Sequence, residues 1–272
     1  FSFIQKFFLV FIVKISDIKI IIRYGSSASL DFFSIKKLNF FFNMFFSMQY
    51  GIIVQGKIAK NFYSQFRVKN IFTKANFILD KWTQKDRREI NKPLSIVMMA
   101  GSRYLKKGFL DSLDAIKEIK DKQDFHFSTI GSNKKVIKEI ENRNLDSVIN
   151  LKAAMTYSEI NELLENSDVL IFPSYAEGMP NLVLEAMSKG LIIITREVGS
   201  LSELVDEGVN GFYIENSSEI RERLENICNN LSLLNQISKN NITKIEGSYK
   251  ERVVIPDLIN FLETCIYKKD ER

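Results

Sequence analysis

Two glutamates with seven residues between them carry the chemistry this chain is best equipped for. Glu177 lies in Ser174-Tyr175-Ala176-Glu177-Gly178-Met179-Pro180-Asn181, and Glu185 follows in Leu182-Val183-Leu184-Glu185-Ala186-Met187. Read as strand, tight loop and helix, the segment places one carboxylate on either side of a helix amino end, where free N–H groups favour anions. A loop glutamate and an unrelated surface glutamate would be the plain alternative. Against it stands the loop chemistry, because Gly178 to Asn181 can present backbone N–H groups and a small side chain to a polar ligand. A second constellation, Gly101-Ser102-Arg103-Tyr104-Leu105-Lys106-Lys107-Gly108, offers cations. A diphosphate needs positive charge at two points; Arg supplies a planar fork and Lys a mobile point charge.

The elements that must position these residues are legible around them. Asp168-Val169-Leu170-Ile171-Phe172-Pro173 is a short apolar run of the kind that forms a buried parallel strand. Beyond Pro180, residues Leu182, Val183, Ala186, Met187 and Gly190 share one arc of a helical wheel, with Asn181, Glu185, Ser188 and Lys189 opposite. Pro180 suits the first helical position and Gly190 the stop. The cationic loop follows its own strand, Ser95 to Gly101. Both constellations therefore fall at carboxyl ends of strands, where open α/β sheets bind ligands.

Composition bounds the reading. At 272 residues, with 45% hydrophobic and 26% charged residues, the chain can form one large or two modest domains. Cys228 and Cys265 are far apart and lack metal-like spacing, which argues against a disulfide framework or zinc site and for a reducing, cytoplasmic setting. Residues 1–91 hold 15 Lys or Arg against 5 Asp or Glu, together with 16 of the 22 phenylalanines; the remainder holds 23 against 28. A basic, aromatic-rich region suggests an anionic partner such as a phosphorylated acceptor or a membrane surface, and biased base composition would give the same pattern. The apolar run Phe7 to Val13 is too short to span a bilayer. Phe1 is not an initiator methionine, so the chain reads as truncated at its amino end.

In chain order, a helix is expected over 1–13, a strand from Asp17 to Ile22, a helix from Ile35 to Phe46, a strand from Gly51 to Gly56 and a helix from Lys57 to Phe66. Thr83 to Pro93 is polar and reads as a linker. Strands at Ser95–Gly101, Phe125–Gly131, Val148–Leu151, Asp168–Pro173, Leu191–Thr195 and Gly211–Ile214 alternate with helices at Gly108–Lys120, Lys134–Asn144 and Tyr157–Asn166, which implies a parallel sheet. Ser218 can cap a helix from Glu219 to Leu231, and Val254, Leu258, Phe261, Leu262 and Ile266 are helically spaced. Boundaries follow for 1–91, 92–248 and 249–272. His126, between Phe125 and Phe127, reads as structural. Gly131-Ser132-Asn133 either borders a nucleotide or is an ordinary turn, and Ala153 to Met155 either line a base pocket or pack. The glycine-rich and Gly-Lys-Ser/Thr loops of dehydrogenases and NTPases are missing.

The run from Glu177 to Glu185, with Gly199-Ser200-Leu201-Ser202-Glu203-Leu204-Val205 and Glu207-Gly208-Val209-Asn210-Gly211-Phe212 after it, resembles the Glu-x7-Glu signature of retaining, nucleotide-sugar-dependent glycosyltransferases of the two-Rossmann-domain (GT-B) class, group 1 or family 4. The resemblance covers roughly Ser95 to Glu215. It implies an α/β fold: a Rossmann-like, parallel-sheet, nucleotide-sugar-binding domain, the second half of an acceptor-binding amino-terminal Rossmann-like domain, and a last helix that crosses back to it. It implies that Arg103 and Lys107 (or Lys106) bind the donor diphosphate, as in the family's Gly-Arg…Lys-Gly element, although Ser102 stands where glycine is common and one residue fewer separates Arg from Lys. Glu185 would accept hydrogen bonds from the ribose. Glu177 and the backbone of Gly178, Met179, Pro180, Asn181 and Leu182 would hold the donor sugar.

The expected activity is transfer of a sugar from a nucleotide-diphosphate sugar to a glycan or lipid-linked acceptor, with retention, in cell-surface polysaccharide synthesis. No metal, cofactor or nucleic acid is expected. The setting would be cytoplasmic, with peripheral contact at an anionic inner membrane face. A non-catalytic nucleotide- or glycan-binding module and a phosphorylase on the same scaffold are the alternatives.

Overall fold

The structure is a computed structural model and describes residues 10, 19–24, 33–73, 76–82, 89–101, 103–121 and 125–267. The chain forms two compact units, Phe1–Phe77 with Glu251–Arg272, and Ile78–Lys250. These divisions differ from those at 91/92 and 248/249 that the sequence suggests. The cause is local: the Ile78 N–H donates to the Tyr249 carbonyl at 2.8 Å, and Ile78 and Trp82 pack into the core of the second unit. The expected helix over 1–13 and most of the linker from Thr83 lie outside the described residues.

In the first unit, β1 (Ile21–Tyr24), α1 (Asn39–Ser47), β2 (Gly51–Val54), α2 (Gly56–Tyr63) and β3 (Ile71–Phe72) alternate. The three strands are parallel in the order β1-β2-β3. Aromatic side chains fill the core, with Tyr24, Phe33, Phe42, Phe45, Phe46, Tyr63 and Phe66 all buried. The last helix, Glu251–Tyr267, belongs to this unit. It lies close over β2, because a Cβ at Gly51 would sit 2.8 Å from the Cys265 Sγ and 2.9 Å from the Phe261 ring.

The second unit carries the six-strand pattern expected from the sequence. Its elements are β4 (Leu94–Met99), α3 (Phe109–Ile119), β5 (Phe125–Ile130), α4 (Lys134–Glu141), β6 (Ile149–Asn150), α5 (Tyr157–Glu165), β7 (Val169–Phe172), α6 (Asn181–Ser188), β8 (Ile192–Thr195), α7 (Leu201–Leu204), β9 (Gly211–Tyr213), α8 (Ser217–Cys228) and α9 (Leu231–Ser248). All strands are parallel, in the order β6-β5-β4-β7-β8-β9. Successive side chains of a strand point to opposite faces, and here each face has its own core. Ile96, Met98, Val169, Ile171, Ile192 and Ile194 enter one; Val97, Leu170, Phe172 and Ile193 enter the other. Both faces are covered by helices, as an all-parallel sheet requires.

Two termini differ from the sequence reading. Pro180 is the cap before α6, with φ −74° and ψ 121°, rather than its first helical residue. Asn216, not Ser218, caps α8 by accepting from the Glu219 N–H at 3.1 Å. Gly190 does stop α6: at φ +73° its N–H donates to Met187, and that of Leu191 to Ala186, the paired bonds of a left-handed glycine cap.

Candidate functional site

Strand order reverses between β4 and β7, and a parallel sheet opens a crevice at such a switch point. The loops leaving these two strands are the two constellations singled out above. They are joined by backbone: the Lys106 carbonyl accepts from the Tyr175 N–H at 3.0 Å and from the Ser174 hydroxyl at 3.1 Å. Gly108, at φ +68°, allows the closest approach, since a Cβ there would lie 2.1 Å from the Pro173 carbonyl oxygen. The buried Tyr104 anchors the first loop edge-on against Phe109, ring centres 6.3 Å apart. A third turn joins them, because Asn133 donates to the Gly101 carbonyl at 2.8 Å while its oxygen caps α4.

Lys107 and Glu177 meet in an ion pair, with 19% and 10% of their side-chain surfaces exposed. The Lys107 ammonium also stands 5.0 Å from the centre of the Phe172 ring. Lys106 is exposed and contributes its carbonyl, so of the two lysines Lys107 is the one turned to Glu177. Arg103 is exposed, and its guanidinium has no partner among the described residues. The second loop is held from behind: a Cβ at Gly199 would lie 2.0 Å from the Glu177 carbonyl oxygen, and the Ser200 N–H donates to that of Gly178 at 3.0 Å. Met179 and Leu182 point into the core, so in this loop it is backbone that a ligand would meet. Pro180 is buried and Asn181 exposed at the amino end of α6.

Glu185 stands further along α6 and accepts from the Tyr157 hydroxyl at 3.2 Å. Burial raises its carboxyl above the ordinary range, and the Tyr157 bond offsets part of that. Burial, with the Glu185 charge and bond, pushes the Tyr157 hydroxyl up to about 12. The Tyr157 ring is edge-on to Trp82, ring centres 4.6 Å apart. The buried Trp82 Nε1 has no partner among the described residues.

A further cluster escaped the sequence reading. Arg196, 8% exposed at the end of β8, donates to the Pro173 carbonyl at 3.2 Å, to the Glu215 carbonyl and to Asp111 at 3.0 Å. Its guanidinium also lies 4.4 Å from the centre of the Tyr175 ring. The Tyr175 hydroxyl donates to the same Asp111 oxygen at 2.7 Å, and this bond raises its pKa. Arg196 thus clamps the strand end that feeds the Glu177 loop, and Asp111 ties the clamp to the first turn of α3. An arginine two residues after the fully apolar run Ile192-Ile193-Ile194, behind Thr195, was the available signal.

Ala153 to Met155 border an open depression together with Lys152, Glu159 and Glu162. His126 is exposed on β5. Among the described residues no cluster of His, Cys, Asp or Glu is placed to hold a metal ion, and no helix is long and apolar enough to cross a membrane.

The family model described as "Glycosyl transferases group 1" matches residues 80–244. Among curated proteins, the chain is 31% identical over 148 residues to an uncharacterised glycosyltransferase of Methanocaldococcus jannaschii, a match covering 53% of this chain and 41% of that protein. It is 27% identical over 147 residues to the N,N'-diacetylbacillosaminyl-diphospho-undecaprenol alpha-1,3-N-acetylgalactosaminyltransferase of Campylobacter jejuni, covering 53% and 38%. The matches thus span less than half the length of these relatives. Others are named for capsular or colanic acid polysaccharide biosynthesis. Among solved structures, HepE of Anabaena in complex with UDP superposes with a TM-score of 0.82 at 15% identity, covering 97% of this chain and 77% of that one. The fold is that of the GT-B glycosyltransferases.

Proposed function

Because the chain belongs to the glycosyl transferases group 1 family, we propose that it moves a sugar from a nucleotide-diphosphate sugar to a glycan or lipid-linked acceptor with retention of configuration, as a family 4 enzyme of cell-surface polysaccharide synthesis. The observation that carries this reading is the meeting of Lys107 and Glu177 at the switch point, beside the amino end of α6.

Departure of the diphosphate builds negative charge on its oxygens, and fixed cations aimed there lower the barrier without reorganising. In this reading Lys107 leaves Glu177 for the diphosphate as donor arrives, and Arg103 supplies the second point of charge. The amino end of α6 adds its partial positive charge. Glu177 then serves the donor sugar, together with the backbone from Gly178 to Leu182, and the acceptor attacks from the face the diphosphate leaves. Glu185 takes the ribose hydroxyls. Its carboxyl already accepts from one hydroxyl, that of Tyr157, and further donors would favour the carboxylate that burial disfavours. The reading uses the protein's own cations and proposes no metal or cofactor. UDP in HepE and the diphospho-undecaprenol in the name of the Campylobacter relative support the donor and acceptor classes. With a lipid-linked acceptor the reaction would run at a membrane surface, which this reading takes to be the cytoplasmic face.

A thermal-shift panel of UDP, GDP, ADP and CMP, free and sugar-linked, on the chain and on Glu185→Ala tests the reading. One nucleotide should stabilise the parent chain, as binding to the native state must, and shift the variant less. Equal shifts in both would remove the role given to Glu185, and no shift with any donor would overturn the reading.

A further inference from the structure

The first unit carries a surface that sugar transfer at the switch point does not use. Helix α1 reads Asn-Phe-Phe-Phe-Asn-Met-Phe-Phe-Ser and is apolar on both sides. Phe42, Phe45 and Phe46 are buried, whereas Phe40, Phe41 and Met44 lie on the other side with 75%, 51% and 38% of their surface exposed. Only the stripe Asn39, Asn43 and Ser47 is polar, so most of the helix surface is apolar, and clustered exposed aromatics mark an interaction site.

The charge around these rings has one sign. Phe33 to Thr73 contains Lys36, Lys37, Lys57, Lys60, Arg67 and Lys69 and no Asp or Glu. Helix α2 lies beside α1: each connects parallel neighbours, β1 to β2 and β2 to β3, and right-handed crossovers in the same direction put both helices on one side of the sheet. Contacts agree, with Phe46 4.9 Å from Phe66 and 5.4 Å from Tyr63 between ring centres. The Arg67 N–H donates to the Asn43 oxygen at 3.1 Å. Lys57, Lys60 and Arg67 are all exposed, so rings and cations share a face.

We propose that this face docks on an anionic lipid surface, with α1 in the interfacial plane, Phe40, Phe41 and Met44 in the headgroup–acyl boundary and the cations on the headgroups. A second copy of the chain would oppose two cationic faces. A nucleic acid would engage the charge and leave the rings in water. Only a surface both anionic and apolar answers both features. The proposal rests on the reading of a lipid-linked acceptor and names the surface at which such an acceptor would be met.

The test is co-sedimentation with vesicles of phosphatidylcholine, alone or mixed with phosphatidylglycerol, using the chain and the variants Phe40→Ser/Phe41→Ser and Lys57→Glu/Lys60→Glu. The chain should bind the anionic vesicles, and each double variant should bind about tenfold more weakly. Raising salt should weaken binding by the parent chain. Equal binding by parent and variants, or equal binding to both vesicle types, overturns the proposal. So does self-association of the parent that Phe40→Ser/Phe41→Ser abolishes, because a second copy would then cover the face. Both substitution sets lie on the surface, and the nucleotide panel run on the same proteins separates the two readings. Vesicle binding without a nucleotide shift rejects the donor site alone, and a nucleotide shift without vesicle binding rejects the docking face alone.

Discussion

In the first unit the apolar residues are aromatic and continue through α1 to its outer side; in the second, mostly aliphatic residues fill both faces of the sheet while charges are drawn inward in pairs. Lys107 faces Glu177, Lys189 faces Glu165 and Arg196 faces Asp111. A charge removed from water is costly unless paired. Each such pair is therefore also a constraint, and it orients its members before a ligand arrives. The exposed rings Phe40 and Phe41 touch each other edge-on, ring centres 5.8 Å apart, and are otherwise open to solvent. The contrast separates a region of paired, fixed charges from one of exposed aromatic rings.

The largest expected effect that sharpens this contrast lies within α1 itself. Phe46→Ala, in contact with Phe33, Phe45, Tyr63 and Phe66, should cost about 3–5 kcal/mol in urea unfolding, whereas Phe40→Ala should stay within about 0.5 kcal/mol. Similar losses for both would erase the distinction between the two sides of the helix. Next come the cations of the switch point. Arg103→Ala should raise the barrier by about 2.7–4 kcal/mol with the melting temperature unchanged, because Arg103 is exposed. Lys107→Ala should show the same kinetic loss and melt lower, since it leaves Glu177 unpaired. An unchanged melting temperature for Lys107→Ala would mean that the pair does not constrain the site.

Gly108→Ala should cost about 1–3 kcal/mol for the left-handed backbone alone, and the Pro173 carbonyl blocks its Cβ. A neutral result by chemical denaturation would show that the two loops can part. The smallest effect is at Glu185. Its raised carboxyl means that the folded chain keeps the proton to a higher pH than the unfolded chain does. That contribution to stability is fully present below the ordinary carboxylate value and is lost as pH rises through the raised one. Glu185→Gln stays neutral throughout, so its stability relative to the parent should grow as pH rises from the ordinary carboxylate value through the raised one, by less than about 1 kcal/mol. A difference independent of pH would show that Glu185 does not titrate there.

Much of the second unit was legible because its signals are local. Apolar runs of strand length alternate with helical periods, and both loops at the switch point follow such runs. The placing of Glu177, Lys107 and Arg103 in those loops could be read for that reason, and so could the helix stop at Gly190. The clamp of Arg196 was not. Its carboxylate partner Asp111 lies 85 residues away in the sequence, and no period connects them. Trp82 and Tyr157 meet across a similar gap on the way to Glu185. Caps were read one or two residues off, at Pro180 and at Asn216, because several residues in each turn could have served. The two-residue strand β3 is too short to leave a periodic trace.

The contact between Trp82 and Tyr157 gives the protein a built-in optical probe. Trp82 is the only tryptophan of the chain, so its emission has a single origin. The ring lies against the tyrosine whose hydroxyl bonds Glu185. A ligand that shares the Glu185 carboxylate with that hydroxyl alters its bond, and the change reaches the indole through one ring contact. Occupancy of the proposed ribose site thus becomes readable as a change in tryptophan fluorescence, in a protein carrying no label at all.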